Sequence, residues 1–119
     1  VMDPTSAALG YGYEYAFTVM ERIRLAALMG DQELQCPQGA GTANAWGARE
    51  AWKKDPELGP RSLRGALWEA IGAINYLLAG LDLFIMLHPA AARTLKDVAG
   101  WLMGGKDPPT FPEWLTFEM

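Results

Sequence analysis

The sequence predicts an α/β fold in which helices dominate and the few strands run parallel. Segments with helical periodicity alternate with short apolar runs, which is typical of helices that connect neighbouring parallel strands. The run at residues 83–87 (LFIML) is uncharged and unbroken, as expected for a strand covered on both faces. Such a strand needs more neighbours and covering helices than these 119 residues supply. We therefore expect a portion of a larger α/β domain.

The first predicted elements are a glycine-rich loop, residues 3–12, and a helix at residues 13–29. Gly10 and Gly12 allow the backbone to approach another molecule closely, so the loop has the composition of a ligand-facing turn. Gly30 marks the end of the helix. One apolar face of the helix is formed at helical spacing by Ala16, Met20, Ile23 and Ala27. Its charged residues, interpreted as a solvent-exposed surface with subunit contact as the alternative, are Glu14, Glu21, Arg22 and Arg24.

In the middle of the chain, the sequence predicts shorter elements. Residues 33–37 have the composition of a short strand, and the glycines of residues 38–44 (QGAGTAN) predict a loop. Thr42 or Asn44 can cap the short helix predicted at residues 45–54, because both side chains can accept a hydrogen bond from a free backbone N–H.

A second long helix is predicted at residues 62–79, after a Pro/Gly-rich connection. Ser62 is the expected N-cap, and Gly80 ends the helix. The face that we expect to be buried contains Leu67, Ile71, Ile74 and Leu78. The opposite face is also poor in charge, so we expect the helix to be covered on most sides.

The last helix is predicted at residues 89–103, directly after the strand at residues 83–87. Proline suits the first helical position, so Pro89 marks its start, and His88 is expected to serve as a cap or as a packed loop residue. A role of His88 in proton transfer or ligand binding is the alternative. The predicted domain covers residues 1–104, and a Pro-rich, aromatic tail follows at residues 105–119.

Composition excludes several classes of function. The net charge of −4 has no basic stripe, which argues against a nucleic-acid partner. The single cysteine, Cys36, excludes an internal disulfide and a four-cysteine cluster, and it favours a cytoplasmic protein. The longest apolar region, residues 66–87, is interrupted by charges and does not predict a membrane span. The five tryptophans are interpreted as core or interface residues.

Three stretches carry a resemblance to a known family. They are DPTSAALGYGYEYAFTVMERIRLAALMGD, GTANAWGAREAW and RGALWEAIGAINYLLAGLDLFIMLHPAA. In this order they resemble the C-terminal part of the small (delta) subunit of the corrinoid iron–sulfur protein in the carbon monoxide dehydrogenase/acetyl-CoA synthase system. The resemblance covers nearly all of residues 2–104.

The resemblance implies a fold and a function. The chain would form the last βα units of a (β/α)₈ TIM barrel, in a subunit that pairs with a large subunit carrying a corrinoid and an iron–sulfur cluster. The corrinoid cobalt accepts a methyl group from methyl-tetrahydropterin and passes it to acetyl-CoA synthase. The small subunit would be a non-catalytic scaffold beside the corrinoid, and it would meet the methyltransferase and acetyl-CoA synthase transiently.

Barrel ligands meet the loops at the carboxyl ends of the strands. For this chain, that rule places residues 3–12, residues 37–44 and His88 on the ligand side. The residues expected to contact the corrinoid are Asp3, Thr5, Gly10, Tyr11, Gly12, Thr42 and Asn44, and Gly41 is considered together with Thr42 and Asn44. The alternative is that these residues only shape the turns and cap the helices that follow.

Two other functions remain open at this stage. The chain could belong to a pterin-dependent methyltransferase of the same barrel class, in which Asp3 and Asn44 would bind the pterin ring. It could instead be a small helical adaptor that docks on a partner through the helix at residues 63–79.

Overall fold

The computed structural model of the chain describes residues 1–105, 107 and 108. The predicted aromatic tail lies almost entirely outside the described residues. The described part contains four α-helices and two short strands, which occur in the order α1 (Tyr13–Leu28), β1 (Gly39–Gly41), α2 (Arg49–Trp52), α3 (Arg61–Ala79), β2 (Leu83–Ile85) and α4 (Pro89–Leu102). Short 3₁₀ turns fill the connections at Gln32–Leu34, Ala43–Gly47 and Pro56–Leu58.

The strands pair in parallel, as the sequence predicts. Gly39 lies opposite Leu83 and Gly41 opposite Ile85. Met2 extends the sheet on the other side of β1 through a parallel bridge to Gln38. Three backbone segments therefore run side by side in chain order, and a helix connects each to the next. The described residues are therefore dominated by helices and contain a small two-stranded parallel sheet.

The prediction of a strand at residues 33–37 was wrong. Gln32–Leu34 forms a 3₁₀ turn in which the carboxylate of Asp31 accepts a hydrogen bond from the backbone N–H of Glu33. The strand is Gly39–Gly41 instead, inside the predicted loop. Its two glycines obscured it, because glycine disfavours strands. The predicted helix at residues 45–54 is also divided, into the turn Ala43–Gly47 and the four-residue α2.

The core lies between the sheet and the helices that cover one of its faces. Its buried members are Ala16, Met20, Ala40, Tyr76, Ala79 and Leu81, with Phe84 packed against them. The rings of Tyr13 and Tyr76 stack with centroids 4.3 Å apart, which joins α1 to α3. Burial raises the pKa of both tyrosines.

The predicted buried face of α3 is in fact its outer face. Leu67, Ile71 and Leu78 are 41%, 45% and 64% exposed, and Ile74 lies between them on the same side. We call these four residues the α3 stripe. The face toward the sheet consists mainly of small residues, among them Gly65, Ala66, Ala70, Gly72 and Ala73. Small side chains allow α3 to approach the sheet and its neighbouring helices closely, and hydrophobicity alone could not distinguish the two faces.

The expectation that residues 83–87 are covered on both faces is also wrong for the described chain. Phe84 packs against the helices. On the other face, Leu83, Ile85 and Leu87 are each more than half exposed. One face of the three-segment sheet is therefore open and apolar.

Helix ends follow the predicted signals in most places. Gly80 ends α3 with a φ of 114°, and the imidazole Nδ1 of His88 caps α4 by accepting a hydrogen bond from Ala90 N–H. Ser62 does not cap α3, because the helix begins at Arg61 with Pro60 in the cap position. Arg24 turns away from the charged surface of α1 to pair with Asp82, whereas Glu14, Glu21 and Arg22 are exposed.

Candidate ligand-facing edge of the sheet

The three parallel segments end at the same edge of the sheet, and three loops follow them there. The loops are residues 3–12 after Met2, residues 42–48 after β1 and residues 86–88 after β2. We call this the carboxyl edge. It is the side on which parallel α/β folds place their ligands.

Side chains of helix α3 hold the first loop in place through hydrogen bonds to its backbone. The hydroxyl of Tyr76 accepts a hydrogen bond from the backbone N–H of Ala7 at 3.0 Å and donates to its carbonyl at 2.9 Å. The indole N–H of Trp68 donates to the carbonyl of Leu9 at 3.2 Å. Backbone groups that would otherwise need water are thus satisfied by side chains of a long helix, which fixes the loop.

Side chains also tie the first loop to the second. The hydroxyl of Ser6 donates to the carbonyl of Gly41 at 2.6 Å, and the amide of Asn44 donates to Ser6 Oγ at 3.2 Å. Further along, the hydroxyl of Tyr11 accepts a hydrogen bond from Arg49 N–H at 2.9 Å and donates to the Glu50 carboxylate at 3.1 Å. The two loops therefore form one connected surface.

A buried carboxylate joins the second loop to the third. Glu69 on α3 is fully buried and accepts a hydrogen bond from the indole N–H of Trp46 at 3.1 Å. It also accepts hydrogen bonds from the backbone N–H groups of Leu87 and His88. The rings of Trp46 and His88 stack with centroids 5.8 Å apart. All three loops are thereby anchored on α3.

Most of the predicted site residues lie on the surface of this edge. Asp3, Thr5 and Gly10 are exposed, and the carboxylate of Asp3 accepts a hydrogen bond from Thr5 N–H at 2.8 Å. Thr5 has a φ of 68°, a left-handed conformation that costs a residue other than glycine free energy. At Gly10, with a φ of 87°, no heavy atom lies within 4 Å of the position that a Cβ would occupy. The backbone of Gly10 therefore faces open space on this side.

Three further predicted residues are more constrained. Tyr11 is 46% exposed, although its hydroxyl is engaged with α2. Gly12, with a φ of 91°, occupies the N-cap position of α1. Asn44 is exposed and contributes to the turn Ala43–Gly47.

Thr42 differs from the other predicted site residues because it is buried. Only 3% of it is exposed, and its hydroxyl has no hydrogen-bond partner among the described residues. It takes the cap position of the turn Ala43–Gly47 without a hydrogen bond from its side chain. Thr42 therefore lies beneath the surface that its neighbours form.

The chemistry available at this edge is hydrogen bonding. Across the described residues, no group of three or more histidine, cysteine and acidic side chains is placed to hold a metal ion. His88 is 4% exposed and its Nδ1 is engaged as a helix cap.

Among all the residues that the structure describes, no helix is long and apolar enough to cross a membrane.

Sequence reasoning missed the residues that organise the edge, chiefly Glu69, Trp46, Ser6 and Tyr76. A signal did exist for Glu69. It is the only charged residue in the stretch 65–81. A carboxylate on a helix this apolar either accepts hydrogen bonds from buried donors or lies exposed within an apolar surface, because burial without such partners costs free energy. The partners of Ser6 and Tyr76 are 35 and 69 residues away, and no local pattern reveals them.

Comparison with known proteins identifies the family. Residues 1–94 match the family model described as the CO dehydrogenase/acetyl-CoA synthase delta subunit. The acetyl-CoA decarbonylase/synthase complex subunit delta of Methanosarcina mazei is 53% identical over 113 residues, which cover 90% of this chain and 26% of the relative. The corresponding subunit of Archaeoglobus fulgidus is 51% identical, over 100% of this chain and 28% of the relative.

A third relative extends the same pattern. The delta subunit of Methanothermobacter thermautotrophicus is 47% identical over 98% of this chain and 31% of the relative. The chain thus spans between about a quarter and a third of the length of these curated relatives. The matches confirm the resemblance indicated by the sequence motifs, and the chain belongs to the CO dehydrogenase/acetyl-CoA synthase delta subunit family.

Proposed function

We propose that this chain forms late βα units of a (β/α)₈ barrel. Three parallel segments lie side by side in chain order, with helices on one face and an open apolar face on the other. A barrel interior is filled by apolar side chains from its strands, and Leu83, Ile85 and Leu87 suit that position. The length of the relatives supports the proposal, because a barrel of about 250 residues fits within them.

We further propose that the carboxyl edge is a non-catalytic scaffold beside a corrinoid. The observation that carries this function is the mutual anchoring of the three loops. Ser6 and Asn44 link the first loop to the second, and Glu69 links the second to the third. Such a surface is rigid before any ligand arrives, so little ordering free energy is lost on binding.

The residues at this edge fit the rim of a corrinoid better than its metal. A corrin ring carries amide side chains, which the exposed amide of Asn44 and the ring and backbone around Tyr11 can meet by hydrogen bonds and contact. Gly10 leaves room for close approach. His88 is too deeply buried to reach a cobalt ion. When bound, the corrinoid would supply the methyl-carrying chemistry, and this chain would supply its surroundings.

The proposed assembly follows from that division of roles. As a member of the delta subunit family, the chain has partner subunits in the acetyl-CoA decarbonylase/synthase complex. We propose that a large subunit carries the corrinoid and the iron–sulfur cluster. We also propose that the methyltransferase and acetyl-CoA synthase bind transiently, as methyl-tetrahydropterin delivers its methyl group and acetyl-CoA synthase receives it.

A methyl-transfer assay separates the scaffold from an enzyme. The full-length subunit is incubated with methyl-tetrahydropterin and free corrinoid, first alone and then with the large subunit and the methyltransferase. A scaffold gives no turnover alone and supports transfer only in the complete mixture. Turnover by the isolated subunit would instead favour the pterin-dependent methyltransferase, with Asp3 and Asn44 as pterin-binding candidates.

A further inference from the structure

A cavity open to solvent lies between helix α2 and the first turn of helix α3. Its volume of about 370 Å³ is within the range of small-ligand sites, about 300–1,000 Å³. The residues that line it are Trp46, Ala51, Trp52, Arg61 and Ser62. We call it the α2–α3 cavity. It shares no residue with the set that the sequence predicts to contact a corrinoid.

Two tryptophans form most of the apolar wall of the α2–α3 cavity. Trp52 is 53% exposed, so much of its indole surface is available to another molecule. Trp46 is held in place, because its indole N–H donates to Glu69, its ring stacks with His88, and the same ring packs against Gly65. Indole rings bind planar apolar groups, and a wall that is fixed in advance loses little ordering free energy on binding.

Arg61 adds a positive charge to the lining of the cavity. It is the first residue of α3, it is exposed, and it forms no ion pair with any residue that the structure describes. A guanidinium group binds the oxygens of a carboxylate or a phosphate through two parallel N–H groups. The hydroxyl of the neighbouring Ser62 can donate a further hydrogen bond.

A second arginine, Arg64, is buried against the backbone on both sides of the lining residues Ala51 and Trp52. It is 8% exposed. Its guanidinium donates hydrogen bonds to the backbone carbonyls of Glu50, Lys53, Asp55 and Gly59. All four acceptors are uncharged, and no carboxylate of the described residues lies within ion-pair distance of the group. A buried charge without a counter-ion favours the approach of an anion.

The region around the cavity is basic within an acidic chain. Residues 49–64 contain five arginine and lysine residues and three acidic residues, whereas the whole chain has a net charge of −4. Two of the three carboxylates are engaged elsewhere, since that of Glu50 accepts a hydrogen bond from Tyr11 and that of Asp55 accepts one from the N–H of Glu57. Local charge therefore favours a negatively charged ligand over a neutral one.

We propose that the α2–α3 cavity binds a small ligand that carries a carboxylate or phosphate group on an aromatic ring. The ring would lie against Trp46 and Trp52, and the anionic oxygens would accept hydrogen bonds from Arg61 and Ser62. This site is separate from the proposed corrinoid contacts and does not depend on them. Trp46 nevertheless connects the two regions, because its hydrogen bond to Glu69 also fixes the loop after β1.

The test measures binding of two probes, phenyl phosphate and benzoate, to the full-length subunit by ligand-observed NMR titration. Phenol is the reference without the anion, and inorganic phosphate, added as a competitor, is the reference without the ring. We expect at least one probe to bind about tenfold or more tightly than phenol, because a hydrogen bond to a charged group contributes that much. The tighter probe identifies the anion that the cavity prefers.

Two variants place the binding in the cavity. Arg61→Gln should weaken binding of the tighter probe about tenfold or more, and Trp52→Leu about two- to tenfold. The matched controls are Arg22→Gln on α1 and Trp101→Leu on α4, which make the same changes at exposed positions. We expect both controls to bind as the parent does. All four positions are exposed, so the melting temperatures should stay close to that of the parent.

Several outcomes would overturn the proposal. If neither probe binds the parent subunit, the cavity is not a site for this class of ligand. Phenol that binds as tightly as the probes would show that the anion contributes nothing. Inorganic phosphate that competes as well as unlabelled phenyl phosphate would show the same of the ring. Binding that Arg61→Gln leaves unchanged, or that Arg22→Gln weakens equally, would place the probe elsewhere on the subunit.

Discussion

The carboxylate of Glu69 and the indole of Trp46 are joined by a hydrogen bond of 3.1 Å, although Glu69 lies in α3 and Trp46 in the loop after β1. The same carboxylate accepts hydrogen bonds from the backbone of Leu87 and His88, in the loop after β2. One buried side chain therefore sets the distance between two loops of the carboxyl edge. Its removal would leave three donors without partners.

We expect Glu69→Ala to lower the free energy of unfolding by about 3 kcal/mol or more, because each buried donor left unpaired costs about 1–3 kcal/mol. Glu69→Gln keeps the volume and one acceptor oxygen, so we expect an intermediate loss. Denaturant unfolding of the full-length subunit measures both. The control Glu21→Ala, at an exposed position on α1, should stay within about 0.5 kcal/mol. A loss below about 1 kcal/mol for Glu69→Ala would mean that water replaces the carboxylate.

Gly65 and Gly100 form a matched pair of glycines within helices. A Cβ on Gly65 would collide with the ring of Trp46, whereas a Cβ on Gly100 would have no neighbour within 4 Å. We expect Gly65→Ala to destabilise by about 1–3 kcal/mol through overpacking. Gly100→Ala should stabilise by about 0.5–1 kcal/mol, because alanine favours helix. Thermal unfolding of the two variants measures the difference, and equal melting temperatures would argue against close packing of α3 on the loop after β1.

The buried tyrosine pair predicts a loss of stability in alkali. Burial raises the pKa of Tyr13 above its ordinary value of 10.0, and burial raises that of Tyr76 as well. Above about pH 10 the unfolded chain loses these protons while the folded chain retains them, so the free energy of unfolding falls as pH rises. Below that pH, their contribution to stability is fully present.

The measurement is the slope of unfolding free energy against pH between about 9 and 11, which brackets the ordinary tyrosine pKa. We expect Tyr13→Phe to make the decline shallower, since that residue no longer titrates. The variant also loses the 2.6 Å hydrogen bond to the Gly72 carbonyl, which lowers stability equally at every pH. Tyr15→Phe, at a 74% exposed ring, is the control and should leave the slope unchanged. If Tyr13→Phe leaves the slope unaltered, the loss of stability in alkali does not come from the buried Tyr13.

The proposed scaffold role predicts an effect of Asn44 on transfer without an effect on folding. Asn44→Ala removes an exposed amide whose one assigned hydrogen bond goes to Ser6 Oγ. We expect slower methyl transfer in the reconstituted complex, with unfolding free energy unchanged within about 0.5 kcal/mol. Asn75→Ala removes an amide that bonds to the Ile71 carbonyl of its own helix and to no loop of the carboxyl edge, and it should leave transfer intact. Equal transfer rates in both variants would remove Asn44 from the proposed site.

Local patterns predicted the three long helices well, although the helix predicted at residues 45–54 is divided. The sequence places α1 at residues 13–29 and α4 at residues 89–103, and each differs by one residue at its end from the structure. Gly80 is a strong signal because glycine readily adopts the left-handed conformation that ends a helix. Pro89 is a strong signal because its fixed φ suits the first helical position. The parallel pairing also followed from the alternation of helices and apolar runs.

Long-range packing explains what the sequence could not predict. The Gly39–Gly41 strand has weak intrinsic preference and forms because its neighbours on both sides offer hydrogen bonds. The sequence assigned the wrong face of α3 to the interior, because close packing, and not hydrophobicity, determines which face of this helix is buried. The three loops that the sequence places on the ligand side do follow strands at one edge of the sheet. The role of Thr42 and its neighbours in corrinoid contact stays a prediction. The residues that anchor the loops of the candidate site form hydrogen bonds with partners far away in the chain.

The open face of the sheet has a consequence for handling the polypeptide. Leu83, Ile85 and Leu87 are exposed within an uncharged run of five residues. This run contains β2, which forms one edge of the described sheet and carries backbone hydrogen-bonding groups along that edge. A short, apolar, uncharged strand of this kind is a recognised starting point for aggregation. We therefore expect these 119 residues, produced alone, to aggregate increasingly as their concentration rises, and Ile85→Lys to reduce that aggregation.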